Sequence, residues 1–484
     1  MKKIKLFISF IVITLLMSTY SVAQTVTITK TGPGGFALVT GSEPINLVVN
    51  GRRVFITENY ASGGTTFFET SYDLNGGRLT SGKYEIPGGV FKNAFTIEQV
   101  IALGDKQYAM IENMNAETGK YNFIAREITK GVVSSTETVL ISYPFEKLLN
   151  SGGASVAVSP DKKKMASLTY YPGIKDVADK INITVYDENL VKLKEADMTY
   201  PGETKRSNFT LVVGNDGTVY LIKNTMSKIG EIILTVYQWQ QNDNTFKEYL
   251  IVLPEPLYIT SFTYALNANS EIILSGVYYK RATVTAGEQT MSGVFYYTNK
   301  GKTEDVFKTF PLDAPVENLV TRKVLVTEST VFLVAEQYKS VEDPLPAGAT
   351  TRTYINTVTH KSNFVIGIGL DGTKKFQLEL AKDFTSKNAD HHNFSASFIC
   401  NNKLTVVYND DYRKYNPNGS GGQIPVLVQI TGDGLMQAPI VFKDELALGA
   451  TLYPCYAVQD ADNQLCFLMG NGSTSQLLTV KIAD

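Results

Sequence analysis

Three histidines, His360, His391 and His392, fall in polar stretches toward the C-terminal end of the chain. Asp390 adjoins the last two, and the run "DDYRKY" adds Asp410, Asp411, Tyr412, Arg413 and Tyr415. Imidazole and carboxylate together make a divalent-metal set, and histidine is the side chain best poised for acid–base work near neutrality. Adjacent His391 and His392 do not easily aim at one ion, so neither a metal nor a cofactor is assigned. Asp390, His391, Asp410 and Asp411 could also supply the acid and base of a glycosidase or another hydrolase, a chemistry that needs two groups standing across one bond. The other reading is recognition without turnover. "DDYRKY" mixes both charges with two tyrosines, and tyrosine brings an apolar face and a polar tip suited to a protein surface or a sugar ring.

For any of these groups to act together, the fold must bring distant stretches to one face. One short design recurs along the chain, a polar turn followed by a strand that often ends near a tyrosine. It reads "NGRRVFITENY" from Asn50, "GDKQYAMIEN" from Gly104, "SPDKKKMASLTYY" from Ser159, "GNDGTVYLIKN" from Gly214 and "NANSEIILSGVYY" from Asn267. It continues with "TESTVFLVAEQY" from Thr327, "CNNKLTVVYND" from Cys400 and "DADNQLCFLMG" from Asp460. The steps are roughly 52 to 61 residues, with one of about 73 after Thr327. A second set of turns keeps the same rhythm: "DLNGG", "TKG", "DEN", "NDN", "NKG", "LDG" and "GDG". Gly, Asn and Asp tolerate the positive φ of tight hairpins, so both sets are turns with a mechanism.

Together the two sets divide each unit into four strands. The unit from Phe209 to Leu253 reads "FTLVVG", "TVYLIKN", "EIILTVYQW" and "FKEYLIVL". Four short strands per unit of this size predict an all-β chain and an eight-bladed β-propeller, with seven blades as the alternative if one unit merges with its neighbour. The last unit stops at Asp484 before a fourth strand, while "TVTITK", Thr25 to Lys30, stands near the N-terminus without a hairpin mate. The expectation is that Thr25–Lys30 pairs with Leu477–Ala483 and closes the ring, removing a bare sheet edge.

"SPDKKKMASLTYY" resembles the S-P-D-G-x-x-[IL]-A repeat of TolB-like propellers at Ser159, Pro160, Asp161 and Ala166, with Lys162 in place of the glycine. The resemblance covers one strand and turn, and it implies a bacterial envelope propeller rather than one particular family. WD40 dipeptides, a fixed kelch Gly-Gly and the sialidase S-x-D-x-G-x-x-W box are absent. A single tryptophan, Trp239, also argues against the tryptophan-rich quinoprotein dehydrogenases.

Composition bounds the rest. Lys2, Lys3 and Lys5 precede an apolar run from Leu6 to Met17 and a small-residue site at Ala23, which reads as a secretory signal peptide over residues 1–23. That run is shorter than the about 20 residues a bilayer needs, so the protein is expected to be exported to the periplasm or beyond and not to span a membrane. Residues 24–484 are read as a single propeller domain. Lys plus Arg number 45 against 47 Asp plus Glu, with no basic cluster, which speaks against nucleic acid. The G-x-S-x-G, H-E-x-x-H and Walker signatures are absent, and "GPGG" at Gly32 reads as a turn. Cys455 and Cys466 flank a hairpin turn and could pair across it, or could be buried thiols like Cys400. Tyrosines near the ends of second strands, among them Tyr60, Tyr170, Tyr171, Tyr278, Tyr279 and Tyr338, could ring one face, although cross-strand aromatic pairs stabilise sheets whatever the function. Because successive strands are antiparallel, loops after the second and fourth strands emerge on one face. The longest are Lys339–Ser362, Lys382–Asn393 and Asn409–Ile424, and they hold all the candidate residues. The reading is a non-catalytic binding or scaffolding module for an envelope protein or a glycan, with the hydrolase as alternative.

Overall fold

The structure, a computed structural model, describes residues 26–30, 45–49, 51–61, 64–73, 78–85, 93–145, 153–171, 180–199, 207–226, 231–240, 242–281, 290–343, 355–387, 394–417, 422–442, 451–471 and 474–483. The expected signal peptide lies outside these residues. Among them the chain is all-β apart from one short 3-10 turn, and no helix is long and apolar enough to cross a membrane.

β1 (Val26–Lys30) comes first in the chain. The first group of strands is β2 (Ile45–Val49), β3 (Arg52–Ala61), β4 (Gly64–Asp73) and β5 (Arg78–Glu85). The second is β6 (Asn93–Leu103), β7 (Lys106–Asn115), β8 (Lys120–Thr129), β9 (Val132–Val133) and β10 (Thr138–Pro144). β11 (Gly153–Val158), β12 (Lys164–Tyr171), β13 (Lys180–Asp187) and β14 (Lys192–Thr199) make the third. The fourth holds β15 (Ser207–Val213), β16 (Val219–Met226), β17 (Ile232–Trp239) and β18 (Lys247–Ile251). The fifth holds β19 (Leu257–Leu266), β20 (Ile272–Lys280), β21 (Thr290–Lys300) and β22 (Glu304–Glu317). The sixth comprises β23 (Leu319–Val326), β24 (Thr330–Asp343), β25 (Ile355–Gly369) and β26 (Lys374–Lys387). The seventh comprises β27 (Ala396–Cys400), β28 (Lys403–Asp411), β29 (Gln423–Ile430) and β30 (Ile440–Val441), and the last is β31 (Thr451–Ala461), β32 (Gln464–Asn471) and β33 (Thr474–Ile482).

Each group is an antiparallel sheet of neighbouring strands, the repeated unit of propeller-type folds. The fourth and fifth are bridged through the Ile232–Ile259 pair into one eight-stranded sheet. Among the described residues no sheet closes on itself. β1 is the fourth strand of the last group, in the order β1-β33-β32-β31, with Val26 opposite Ile482 and Lys30 opposite Leu478. The orphan N-terminal strand thus finds the mate expected of it.

The turns obey local chemistry. In the fourth group Gly217 sits at φ 84° while the Asp216 carboxylate accepts from the Thr218 amide at 3.0 Å. In the turn after Ser159, Lys162 takes φ 60°, a region that favours glycine, and its carbonyl accepts from the Gly104 amide of the second group at 2.6 Å.

The core lies between sheets rather than beneath one. First strands of consecutive groups pack on each other except between the fourth and fifth groups, where β19 meets β17, and β31 packs back on β2. Apolar clusters fill the spaces between successive sheets. One more cluster joins Tyr72 of the first group to Tyr456, Cys466, Leu468 and Leu477 of the last. At that same junction the Arg53 guanidinium of β3 is ion-paired with Asp460 of β31 and donates to Thr479 Oγ1 of β33 at 2.9 Å, with the Arg53 side chain 1% and the Asp460 side chain 0% exposed. Cys400 and Cys466 are free, buried thiols, and burial pushes Cys466 up to about 12. Cys466 stands opposite Val458 because β31 is irregular between Tyr453 and Val458, so the expected Cys455–Cys466 opposition is not met.

Candidate functional site

The long loop expected over Lys339–Ser362 is mostly strand. β24 and β25 stay paired from Thr330–Gly369 out to Asp343–Ile355, leaving only residues 344–354 between them. The extension is a period-2 strand: Val358 and His360 point inward and are buried, while Thr357 and Thr359 are half-buried. Polar residues at three of these four positions disguised it. His360 is therefore a strand residue, 0% exposed, and cannot itself meet a partner at the surface.

The register explains what His360 meets. Tyr338 opposes His360 and Glu336 opposes Asn363, with an irregularity between the two pairs. Glu336 is the hub of a buried cluster. It faces His360 Nδ1 at 3.1 Å, accepts from the Lys382 ammonium, and takes the Ser395 amide and hydroxyl at 3.1 and 3.2 Å. Arg322 Nε lies 3.6 Å away. Rings wall the cluster: Phe384 stacks on His360 at 4.6 Å, Phe394 meets it edge-on at 5.3 Å, and the Arg322 guanidinium lies over Phe394.

Burial alone would raise the Glu336 carboxyl, but Lys382, the His360 hydrogen bond and Arg322 outweigh it and hold the group at about 2. Burial pushes His360 below its ordinary value, the Glu336 hydrogen bond opposes this, and the positive charges of Lys382 and Arg322 push it further down. A neutral ring beside an ionised carboxylate carries its proton on Nδ1, which leaves Nε2 as a bare lone pair without a hydrogen-bond partner. Burial also lowers Lys382, against the pull of Glu336.

Asp410, at the end of β28, is likewise buried and fully used. Its carboxylate accepts from the amides of Asp383 and Asp411 at 3.1 and 2.8 Å, from Lys414 Nζ at 2.8 Å and from the Tyr415 hydroxyl at 2.9 Å. Burial, then Asp410, raises the Tyr415 phenol. Asp411 caps the short 3-10 turn Tyr412–Lys414 and grips Arg413, whose hydrogen bond holds the Asp411 carboxyl below its usual range. The Tyr412 hydroxyl accepts from Asn416 at 2.8 Å. Arg413 and Lys414 are the exposed residues of this run.

His360 and Asp410 thus belong to one network, joined through the consecutive Lys382 and Asp383. Asp390, His391 and His392 fall in residues 388–393, outside the described residues. Sequence reasoning missed Arg322, Glu336, Asn363, Lys382 and Ser395. The available signal was a charge ending an apolar run, as in "VFLVAE" and "LELAK". Among the described residues no cluster of three or more His, Cys, Asp or Glu could hold a metal. Nor do Asp410 and Glu336 make an acid–base pair, since each is buried and occupied by several donors.

No family model and no curated protein matches the chain. Among solved structures it is similar to the WD40 domain of SCAP from fission yeast, at 8% identity and TM-score 0.38, over 95% of this chain and 98% of that one. A Synechocystis apocarotenoid oxygenase mutant shows 10% identity and TM-score 0.38 over 87% of this chain and 94% of its own. The β-propeller domain of the Trilobed protease from Pyrococcus furiosus shows 9% identity and TM-score 0.33 over 72% and 99%. Likenesses at this level assign no activity to the chain.

Proposed function

We propose that the chain is an exported, non-catalytic binding or scaffolding module. On this reading residues 1–23 are a signal peptide, and residues 24–484 are a single eight-bladed β-propeller closed by its N-terminal strand. The protein works in the periplasm or outside the cell, where the loops of the sixth and seventh blades meet an envelope protein or a glycan. Support for eight blades comes from the β1–β33 pairing, the packing of β31 on β2 and the apolar cluster between the first and last groups.

One observation carries the choice of binding over hydrolysis. The described groups best suited to catalysis, His360 and Asp410, are buried, with the Asp410 carboxylate taken up by internal donors, while Arg413 and Lys414 of the same region face solvent. A hydrolase needs two carboxyl groups open to substrate; a binding face needs exposed charge and half-buried tyrosine, which Tyr412 and Tyr415 supply.

The test is quantitative capture from envelope extract and on a glycan array. The mature protein is set beside a variant with residues 344–354 and 418–421 replaced by tight turns, which leaves every described strand intact. A protein or glycan held stoichiometrically by the first and lost by the second, at equal melting temperature, is the expected result. Retention of neither overturns the reading, and turnover of a captured glycan would replace it with the hydrolase.

A further inference from the structure

The sixth group sets an amine, a carboxamide and a carboxylate on three neighbouring strands in a dry setting. β25 lies between β24 and β26, so Lys382 on β26 reaches Glu336 on β24 only by running over β25, the strand that carries Asn363. Asn363 stands opposite Glu336 on one side and opposite Leu380, two residues before Lys382, on the other. The Ser395 hydroxyl ties two of the three together, at 2.9 Å from Asn363 Oδ1 and 3.2 Å from Glu336 Oε2. Glu336 and Asn363 are 0% exposed and Lys382 2%. Asn363 Nδ2 has no hydrogen-bond partner.

Each group is prepared for one role. A buried lysine is a poor ammonium and a good nucleophile once it gives up a proton. The ionised Glu336 already holds that proton in a hydrogen bond and is placed to take it. The single proton of the Ser395 hydroxyl has Glu336 Oε2 and the carboxamide oxygen of Asn363 as alternative acceptors, and it can turn to the latter, where negative charge would develop during attack on Cγ. The unbonded Nδ2 is free to leave. Fixing amine and carboxamide on adjacent strands makes the encounter intramolecular.

We propose that Lys382 and Asn363 become joined by an amide bond between Nζ and Cγ, with Glu336 as proton carrier and ammonia as the leaving group. Lys382 passes a proton to Glu336 and its free amine attacks Cγ of Asn363. The Cγ–Nζ bond forms, Glu336 returns its proton to Nδ2 as the Cγ–Nδ2 bond breaks, and the same carboxylate then carries the second proton from Nζ to the released ammonia, which departs as ammonium. In sum, one ammonium and one carboxamide give one secondary amide and one ammonium ion. No electrons change hands and no co-reactant is needed. The product staples β25 to β26 beneath the loops of the sixth blade, and the arrangement described above is the state from which it forms.

The test is tryptic mapping of the folded, purified full-length mature protein by tandem mass spectrometry. Intact mass alone is ambiguous, because a chain beginning at Gln24 could also lose ammonia by cyclising its N-terminal glutamine. The expected species is a branched peptide in which Ser362–Lys374 is joined to Phe376–Lys387, uncut at Lys382 and lighter than its parts by one ammonia. It should be absent from Asn363→Ala. Recovery of Ser362–Lys374 and Phe376–Lys382 as separate, unmodified peptides from the folded wild-type protein overturns the proposal, whether or not the variant folds. A branched peptide that persists in Asn363→Ala does so as well, since it would place the bond elsewhere.

Discussion

Replacing Arg53 by methionine is expected to cost about 3–5 kcal/mol of stability, read as a large fall in the denaturant midpoint. Arg53 and Asp460 lie about as deep as any pair in the protein, at the junction of the first and last groups. Methionine keeps much of the volume and leaves the Asp460 carboxylate buried without its countercharge. The double variant Arg53→Met, Asp460→Leu removes both charges and should recover most of the loss, because a buried ion pair is dear to break and cheap to replace whole. Deleting residues 25–30 attacks the same junction from the other side by stripping β33 of its outer partner. A melting temperature unchanged by that deletion would sink the proposed closure.

Glu336→Gln is the second large effect, again about 3–5 kcal/mol. It leaves the buried Lys382 and Arg322 without their shared countercharge, and it removes the proton carrier of the proposed amide bond. The pH dependence follows from the same cluster. His360 titrates below its ordinary 6.5 in the folded protein, chiefly through burial. The unfolded chain therefore takes a proton that the folded chain refuses, and stability is lost as pH falls from 6.5 toward the folded value. Glu336, moved from 4.5 down to about 2, acts in the same direction in a lower window. Its contribution is in place above 4.5 and lost between there and about 2. Denaturant midpoints measured from pH 8 to pH 2 should be level at first and fall below pH 6.5. His360→Gln, which can still donate to Glu336, should flatten the upper limb and leave the lower one. A wild-type profile already flat between pH 7 and 5 would refute the assignment.

Much of the architecture was legible because turn chemistry and strand alternation are local. Gly104, Gly217, Gly372 and Gly434 take positive φ at turns read from sequence, and the mate of "TVTITK" followed from a missing fourth strand. The site was less legible because burial of charge is a tertiary property. Glu336 and Lys382 look like ordinary strand-end charges until sheet packing sets them against one another. His360 sat in a stretch taken for loop because its polar neighbours masked the alternation. The two-residue β30 is another departure: Pro439, lacking an amide proton, interrupts what would have been a longer edge strand. Asp410 and Asp411 adjoin in sequence yet differ in role, one buried as an acceptor and the other capping a turn, and only the fold separates them.

The pairing of Val26 with Ile482 has a consequence for the order of assembly. Synthesis delivers β1 first and β33 near the end, so the earliest strand must wait unpartnered while the intervening sheets are made. The entropy of joining such distant segments grows only with the logarithm of their separation, so the wait, rather than the final closure, is the hazard. During that interval a short β-prone segment is open to pairing with the wrong edge, including that of another copy. Moving residues 24–30 to follow Asp484 would turn this last long-range event into a local hairpin, and the permuted chain should refold faster with less aggregation.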